Sequence, residues 1–438
     1  MANENPTTGA GNIKKFSITS NKGGNNADLT GGVVEYRYYE SVMSNYITST
    51  VTVIETGNDA NGPAKSTIDG LPIRGGEEAD IEVVDAQDNA IQLQTKLHVN
   101  RVRDASPDTK QDLYHIDFVS KNQLLNQNTR VIKRYEGKIS DNVQQILSDE
   151  MGSESNIDID NTSLEYNFNG NTRKPFYICT WLASKSVPEG SGSSGGSSTG
   201  GTGGFLFYET REGLFFKSID KLFEQSSTKK FIYNSTGQPV SGYDANIVAY
   251  KIAKDIDFKK NLDIGAYNNV SFYFDLVAMD YKVKQFSIED QEGDAKTAGS
   301  DYIVVNEEFI EKPSRVYYAI KDIGFNPKGT GDQQLDNWKN DPKESNFKYE
   351  ESMVQTVMRY NQLLTVQAQI TIPGDFSIKA GDIIECEFPQ LEGVKNKETN
   401  KQSGGKYMVG FVCHRVTPRE TFTSIGLIRD SFGKEGGF

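Results

Sequence analysis

The chain has 438 residues, enough for two to four domains and a substantial core. Its 41 Gly, 23 Phe and 21 Tyr favour strands and turns over helices. The net charge of −13 argues against a protein whose main task is gripping a nucleic-acid backbone, which needs a cationic footprint; an acidic excess ordinarily serves solubility, and it would also suit a surface past which DNA slides without sticking.

Residues 1–13 read as a disordered N-terminus. Short strands follow at regular spacing: Val33–Tyr39, Ser49–Thr56, Asp80–Asp85, Ile91–Arg103 and Asp112–Val119. In the last, Tyr114, Ile116 and Phe118 share one face. The span 14–121 is expected to form a first β-barrel.

The period then changes. Ser140 is placed to cap a helix with a stripe of Val143, Ile146 and Leu147. A second helix, Pro175–Ser184, opens with proline in its first turn and gathers Ile178, Trp181 and Leu182. The segment 189–204 is almost pure Gly and Ser and reads as a flexible loop. Phe205–Thr210 and Leu214–Lys217 form a hairpin around Arg211-Glu212-Gly213. Ser218 is placed to cap a helix carrying Ile219, Leu222 and Phe223. Residues 122–230 thus read as a small α+β module.

Residues 231–345 read as connecting strands and helix, partly contributing to a second barrel. The pattern suggests a helix over Ala245–Leu262, a strand-rich part over Val270–Met279 and a polar loop over Gly329–Ser345. Met353, Val354, Val357 and Met358 form a helical stripe leading into the terminal unit, 346–438, which reads as a second β-barrel with a C-terminal tail. There Leu364, Val366, Ala368, Ile370 and Ile372 fall on every second position. Pro373-Gly374 suits a type II turn. Ile384, Cys386 and Phe388 point inward, with Glu385 and Glu387 on a solvated face. Strands Lys406–Val416 and Thr421–Arg429 complete the pattern. The fold class is mainly β with an α+β module: two antiparallel β-barrels plus a small helix-and-hairpin domain.

No constellation carries a reaction. Gly190-x-Gly192-x-x-Gly195 has the letters of a dinucleotide fingerprint but lacks the strand before and the helix after it, so it reads as linker. His115 and Asp117 stand two apart on a strand, with no Gly-x-Ser-x-Gly elbow to supply a nucleophile. Cys413 and His414, adjacent on a strand, point to opposite faces and make no metal pair. With three Cys (Cys179, Cys386 and Cys413) and three His, a structural zinc site is not indicated, and a reducing cytoplasm suits folding. Asp158-x-Asp160-Asn161 lacks the rest of a calcium loop and reads as an Asx-rich turn. The 60 acidic residues offer many accidental carboxylate pairs and single out none for glycoside cleavage. Trp181, Phe205, Phe207 and Phe215 read as core. Catalytic, cofactor-binding and metal residues are therefore all set at none. The polar N-terminus has no apolar leader, and no run reaches the roughly 18 apolar residues of a membrane span.

Three ordered blocks carry a resemblance. Phe205–Leu222 resembles the hairpin-and-helix block of the central hub proteins of contractile-tail phage baseplates. Lys174-Pro175-Phe176 with Trp181–Ser184 resembles the helix before it. Ile372-Pro373-Gly374, Lys379–Asp382, Gly405-Lys406-Tyr407 and His414 resemble that family's second barrel. Tyr135–Ser140 and Gly265-Ala266-Tyr267 with Phe274-Asp275 are fainter echoes, and the set spans about residues 14 to 432.

The resemblance, which extends to the hub-like base of type VI secretion spike proteins, implies a non-enzymatic structural protein of the virion. It implies a homotrimer adapting a sixfold tail tube to a threefold spike. The expected partners are a tail tube protein above, a separate spike protein below, since the chain stops at Phe438, and a tape-measure protein. DNA would pass through the channel without specific binding, with no integral membrane association and assembly in the host cytoplasm. The Gly/Ser loop is longer than that family's usual connection. The competing readings are a tail-associated cell-wall or capsule hydrolase, and a carbohydrate-binding tail-tip protein.

Overall fold

The computed structural model describes residues 11–22, 26–55, 73–84, 91–107, 111–163, 165–189, 202–254, 257–276, 279–291, 296–299, 306–322, 330–333, 336, 346, 349–389, 400 and 402–433. The Gly/Ser loop, the Gly190–Gly195 letters and most of Gly329–Ser345 lie outside the described residues.

Seven strands make the first part: β1 (Asn12–Thr19), β2 (Asn26–Asp28), β3 (Val33–Ser41), β4 (Thr48–Glu55), β5 (Glu78–Val84), β6 (Ile91–Pro107) and β7 (Asp112–Val119). Asn12 and Ile13, in the terminus read as disordered, already pair with β5. Alternation drives these strands: β4 buries Ser49, Val51, Val53 and Glu55 and turns Thr48, Thr50 and Thr52 outward. Tyr114, Ile116 and Phe118 of β7 join Phe16, Tyr36 and Tyr38 in one core.

The middle part begins with α1 (Lys121–Asn128), β8 (Arg134–Tyr135) and α2 (Ile139–Gln145), then β9 (Ile157–Ile159), β10 (Phe168–Asn169) and α3 (Pro175–Ala183). The hairpin β11 (Phe205–Thr210) and β12 (Gly213–Ser218) leads into α4 (Ile219–Glu224). The expected stripe of Val143, Ile146 and Leu147 is fully buried. Ser140 does not cap it: the helix starts one residue earlier, and the Ser140 amide donates to Thr162 Oγ1 from a neighbouring segment. Ser218 does stand at the N-cap of α4, but its hydroxyl makes no capping bond.

The remaining strands are β13 (Lys229–Ile232), β14 (Ala245–Asn246), β15 (Ala249–Lys254), β16 (Asn268–Asp275), β17 (Asp280–Ser287), β18 (Arg315–Ile320), β19 (Val366–Pro373), β20 (Ile383–Glu387), β21 (Gly405–Val416) and β22 (Thr421–Arg429). Helices α5 (Phe258–Asp263), α6 (Glu307–Ile310) and α7 (Tyr349–Gln362) lie among them. The helix expected over Ala245–Leu262 is therefore wrong for most of its length. Ala249–Lys254 is an extended edge strand on β19, and only Phe258–Asp263 is helical. An edge strand left largely exposed has little periodic burial to announce it, and its partner lies more than a hundred residues away.

Two further expectations change. Leu364 precedes β19 and is 41 % exposed, while Val366, Ala368, Ile370 and Ile372 are buried. Gly374 has no positive φ, so the turn is not type II. A Cβ there would stand 2.4 Å from Thr421 Cγ2, so glycine is needed for close approach.

Fourteen strands form one sheet, ordered β14-β13-β20-β21-β3-β4-β7-β6-β5-β1-β2, with β22, β19 and β15 branching from β21. Its two halves curl around separate cores. The chain is mainly β with an α+β module, as expected; within it no ladder closes into a barrel among the described residues, and the pairing is not antiparallel throughout, since β13 runs parallel to both β14 and β20. The physical reason lies in β3. Closure of the first half would need a free edge of β3, but one edge pairs with β4 and the other with β21.

The long strand β21 makes this seam. Ile383–Cys386 of β20 pair with its first residues, and Tyr36–Ser41 of β3 with Phe411–Val416. The changeover falls at a bulge between Val409 and Phe411. There the Gly410 carbonyl accepts from the Ser41 hydroxyl at 2.9 Å and the Val42 amide at 3.0 Å.

Candidate assembly surfaces and the buried joints behind them

Strands β17, β16 and β18 form a separate sheet in that order. On one face the registers align Val270, Phe272 and Phe274 of β16 with Gln285, Val283 and Tyr281 of β17. The same three meet Val316, Tyr318 and Ile320 of β18. Eight of these nine positions are apolar or aromatic. Tyr318 is 72 %, Ile320 67 % and Tyr281 57 % exposed. Phe272 stacks on Tyr318 at 5.5 Å between ring centroids, so the grid is ordered by its own aromatics. On the opposite face Asn269, Ser271 and Tyr273 are buried. A contiguous apolar face of this kind marks an interaction surface.

A second apolar surface lies along the seam. Met43, Leu364, Ala368, Gly410, Phe411 and Gly426 line a groove of about 430 Å³. Two glycines leave the groove its depth, and Met43 and Phe411 stand exposed at 55 % and 37 %. The two surfaces differ in form: one is a flat aromatic grid, the other a groove.

Behind them, buried polar groups hold the parts together. Arg359 of α7 is fully buried and donates to Asp430 after β22 at 2.5 Å and to Asp220 of α4 at 3.0 Å. Asp220 in turn accepts from the Thr202 amide and hydroxyl, and Asp430 from the Ala298 amide. One guanidinium thus ties the middle part, the terminal helix and the last strand.

Glu40 of β3 ties the three parts of the chain at another point. It accepts from the Tyr38 hydroxyl, the Arg211 amide in the hairpin turn and the Ala380 amide before β20. Glu209 of β11 accepts from the Ser120 hydroxyl at 2.5 Å, Asn122 Nδ2 at 2.6 Å and the Ile47 amide at 3.3 Å. Asp382 accepts from the Lys379 amide. Burial pushes Glu40 up, Asp382 up to about 6 and Glu209 up to about 7. His414, buried beneath Tyr38 and Phe376, is pushed down to about 4 by burial and so is neutral at pH 7.

The residues weighed for chemistry go elsewhere. His115 meets Thr52, while Asp117 pairs with Arg103 and bonds Thr50. Asp158 and Asp160 lie not in a turn but along the short parallel strand β9 and its end, both on Lys217. Cys386 is core; Glu385 pairs with Lys230, whereas Glu387 is buried rather than solvated. Phe205 and Phe207 are core, with Trp181 and Phe215 packed against it. Among the described residues no group of His, Cys, Asp and Glu is arranged to hold a metal ion, and no helix is long and apolar enough to cross a membrane.

Arg359, Glu40, Glu209 and Asp382 are the residues that sequence reasoning missed. The available signal was a charge set within an apolar run: Glu209 ends Phe205-Leu206-Phe207-Tyr208, and Arg359 follows Val357-Met358.

No family model matches the chain, and no curated protein matches it in sequence. Its structure is similar to the tail protein from Neisseria meningitidis MC58, with a TM-score of 0.52 and 9 % identity over 95 % of this chain and 96 % of that one. It is also similar to the 43 kDa tail protein of prophage MuSo2 from Shewanella oneidensis, with a TM-score of 0.50 and 9 % identity over 95 % and 98 % of the two chains. The chain has the fold of these phage tail proteins, the class that its ordered sequence blocks resemble.

Proposed function

We propose that the chain is the structural central hub of a phage tail baseplate, a homotrimer without catalytic activity. The observation that carries this reading is the end-to-end fold match to tail proteins, which leaves almost nothing of either chain unmatched. The spans 14–121, 122–230 and 346–438, with 231–345 as connector and insert, are proposed as its structural units.

In this reading each subunit contributes two curled sheet halves to a pseudo-sixfold ring, fixed relative to one another by β21. The ring adapts a sixfold tube above to a threefold spike below, and its channel passes DNA and the tape-measure protein. The aromatic grid and the seam groove support a second copy as the partner. Two unlike apolar surfaces on one chain suit a head-to-tail contact, the kind that closes into a ring. The virion is the proposed location.

Light scattering on the purified protein tests the assembly. The expected mass is that of three 48.6-kDa chains. A monodisperse monomer at high concentration would overturn the ring. A turbidity assay on cell-wall substrate tests the absence of catalysis: no clearing is expected, and measurable lysis would favour a hydrolase.

A further inference from the structure

The three buried carboxylates Glu40, Glu209 and Asp382 sit where the first sheet half, the hairpin module and the second sheet half meet. None of them has an ion-pair partner among the described residues, in contrast to Asp220 and Asp430, which share Arg359. Beside Glu209 lies a cavity of about 240 Å³ between β3, β6, the start of α1 and the hairpin turn. We infer that Glu209 is a proton-operated latch, closed when its carboxyl is neutral and loosened when it ionises, between the first sheet half and the hairpin module.

The groups around it decide the direction. From α1 come Ser120, Asn122 and Lys121, the last paired with Glu154. From β3 come Tyr38 and, just behind, Glu40, whose charge opposes that of Glu209. β6 contributes Lys96 to the cavity wall, and the turn contributes Arg211 and Glu212, the latter paired with Lys379. Ser155 and Asn156 complete the polar lining. The cations therefore face the cavity or another acid, and none bonds Glu209. The neutral carboxyl keeps its partners: the Ser120 hydroxyl, 2.5 Å away and a donor to the ionised form, would turn to accept from the carboxyl O–H, while Asn122 Nδ2 still donates to the other oxygen. On ionisation the charge is left against Glu40 in a poorly solvated site, and opening toward the cavity hydrates it.

The sign follows from linkage. The closed state holds the Glu209 proton to about pH 7, whereas an exposed glutamate releases it near ~4.3. Between those values the closed state binds more protons, so the latch is tightest in acid and weakens as pH rises toward 7. Asp382, held to about 6, and Glu40, also raised, add in the same direction.

Hydrogen exchange followed by mass spectrometry on the full chain tests this in any oligomeric state, so its outcome is separate from that of the ring. Protection, corrected for intrinsic rates, is compared at about pH 5.5 and about pH 8.5 in the peptide covering Ile47, whose amide donates to Glu209. The wild type is expected to lose protection there by about 30-fold, the shift that the two proton affinities imply. Glu209→Gln, a mimic of the neutral carboxyl, is expected to keep its acid-level protection at both values. Unchanged wild-type protection, or the same loss in Glu209→Gln, would overturn the latch. Should the variant fail to fold, the wild-type comparison alone decides.

Discussion

Replacing Arg359 by alanine leaves Asp220 and Asp430 buried without the guanidinium that joins them. A buried charge stripped of its partner is far more costly than the intact pair is stabilising, by about 3–5 kcal/mol. Urea unfolding of Arg359→Ala should show a loss of that size, with much of it recovered when Asp220→Asn and Asp430→Asn are added. If the single variant is as stable as wild type, the triad is not a joint. The residue was hard to see in sequence because it lies beside the apolar stripe of α7. Met358, its neighbour, is fully buried as the helical period requires, yet Arg359 is just as buried. Periodicity reports which side of a helix is apolar, but not that a second wall of protein covers the adjoining side. Glu40 and Glu209 escaped for the same reason: strand alternation reads a charged residue as outward-facing, and these ends are enclosed by a third element.

At the level of elements, strands with strict alternation were legible nearly to the residue. Thr421–Arg429 and Asp112–Val119 have the bounds their patterns imply, because each has one buried and one open face. The hairpin β11–β12 and α4 were legible too, since their signals are local. Ala249–Lys254 was not: its Ala and Lys content suits a helix, and only pairing with the distant β19 makes it extended. The three-stranded insert shows what pattern alone leaves open. Its strands alternate, but the apolar side chains lie on the exposed face, where no described residue covers them, while the buried face carries Asn269, Ser271 and Tyr273. If a second copy covers the exposed face, Tyr318→Asp should convert trimer to monomer in light scattering while leaving the melting temperature close to wild type. Phe411→Asp in the seam groove should do the same. Trimers that persist in both variants would assign these surfaces to a different partner.

At the scale of the whole molecule, β21 gives the chain a mechanical property that two independent barrels would lack. Because its successive halves pair with β20 and β3, the two curled sheet halves cannot rotate against each other without breaking backbone hydrogen bonds. A ring built from such subunits keeps a fixed bore, as a conduit must. The charge of −13 fits the same role. A trimer carries three times this excess, and acidic side chains lining the bore would repel a DNA backbone at short range, with salt screening beyond about 10 Å. The assembled protein should therefore show no binding to duplex DNA in fluorescence anisotropy at about 50 mM salt, where any cationic footprint would be most evident. It should also give a negative mean potential in the bore once the ring is imaged. Tight binding that falls steeply with added salt would reveal a cationic bore, and the acidic-channel reading would fail even if the trimer stood.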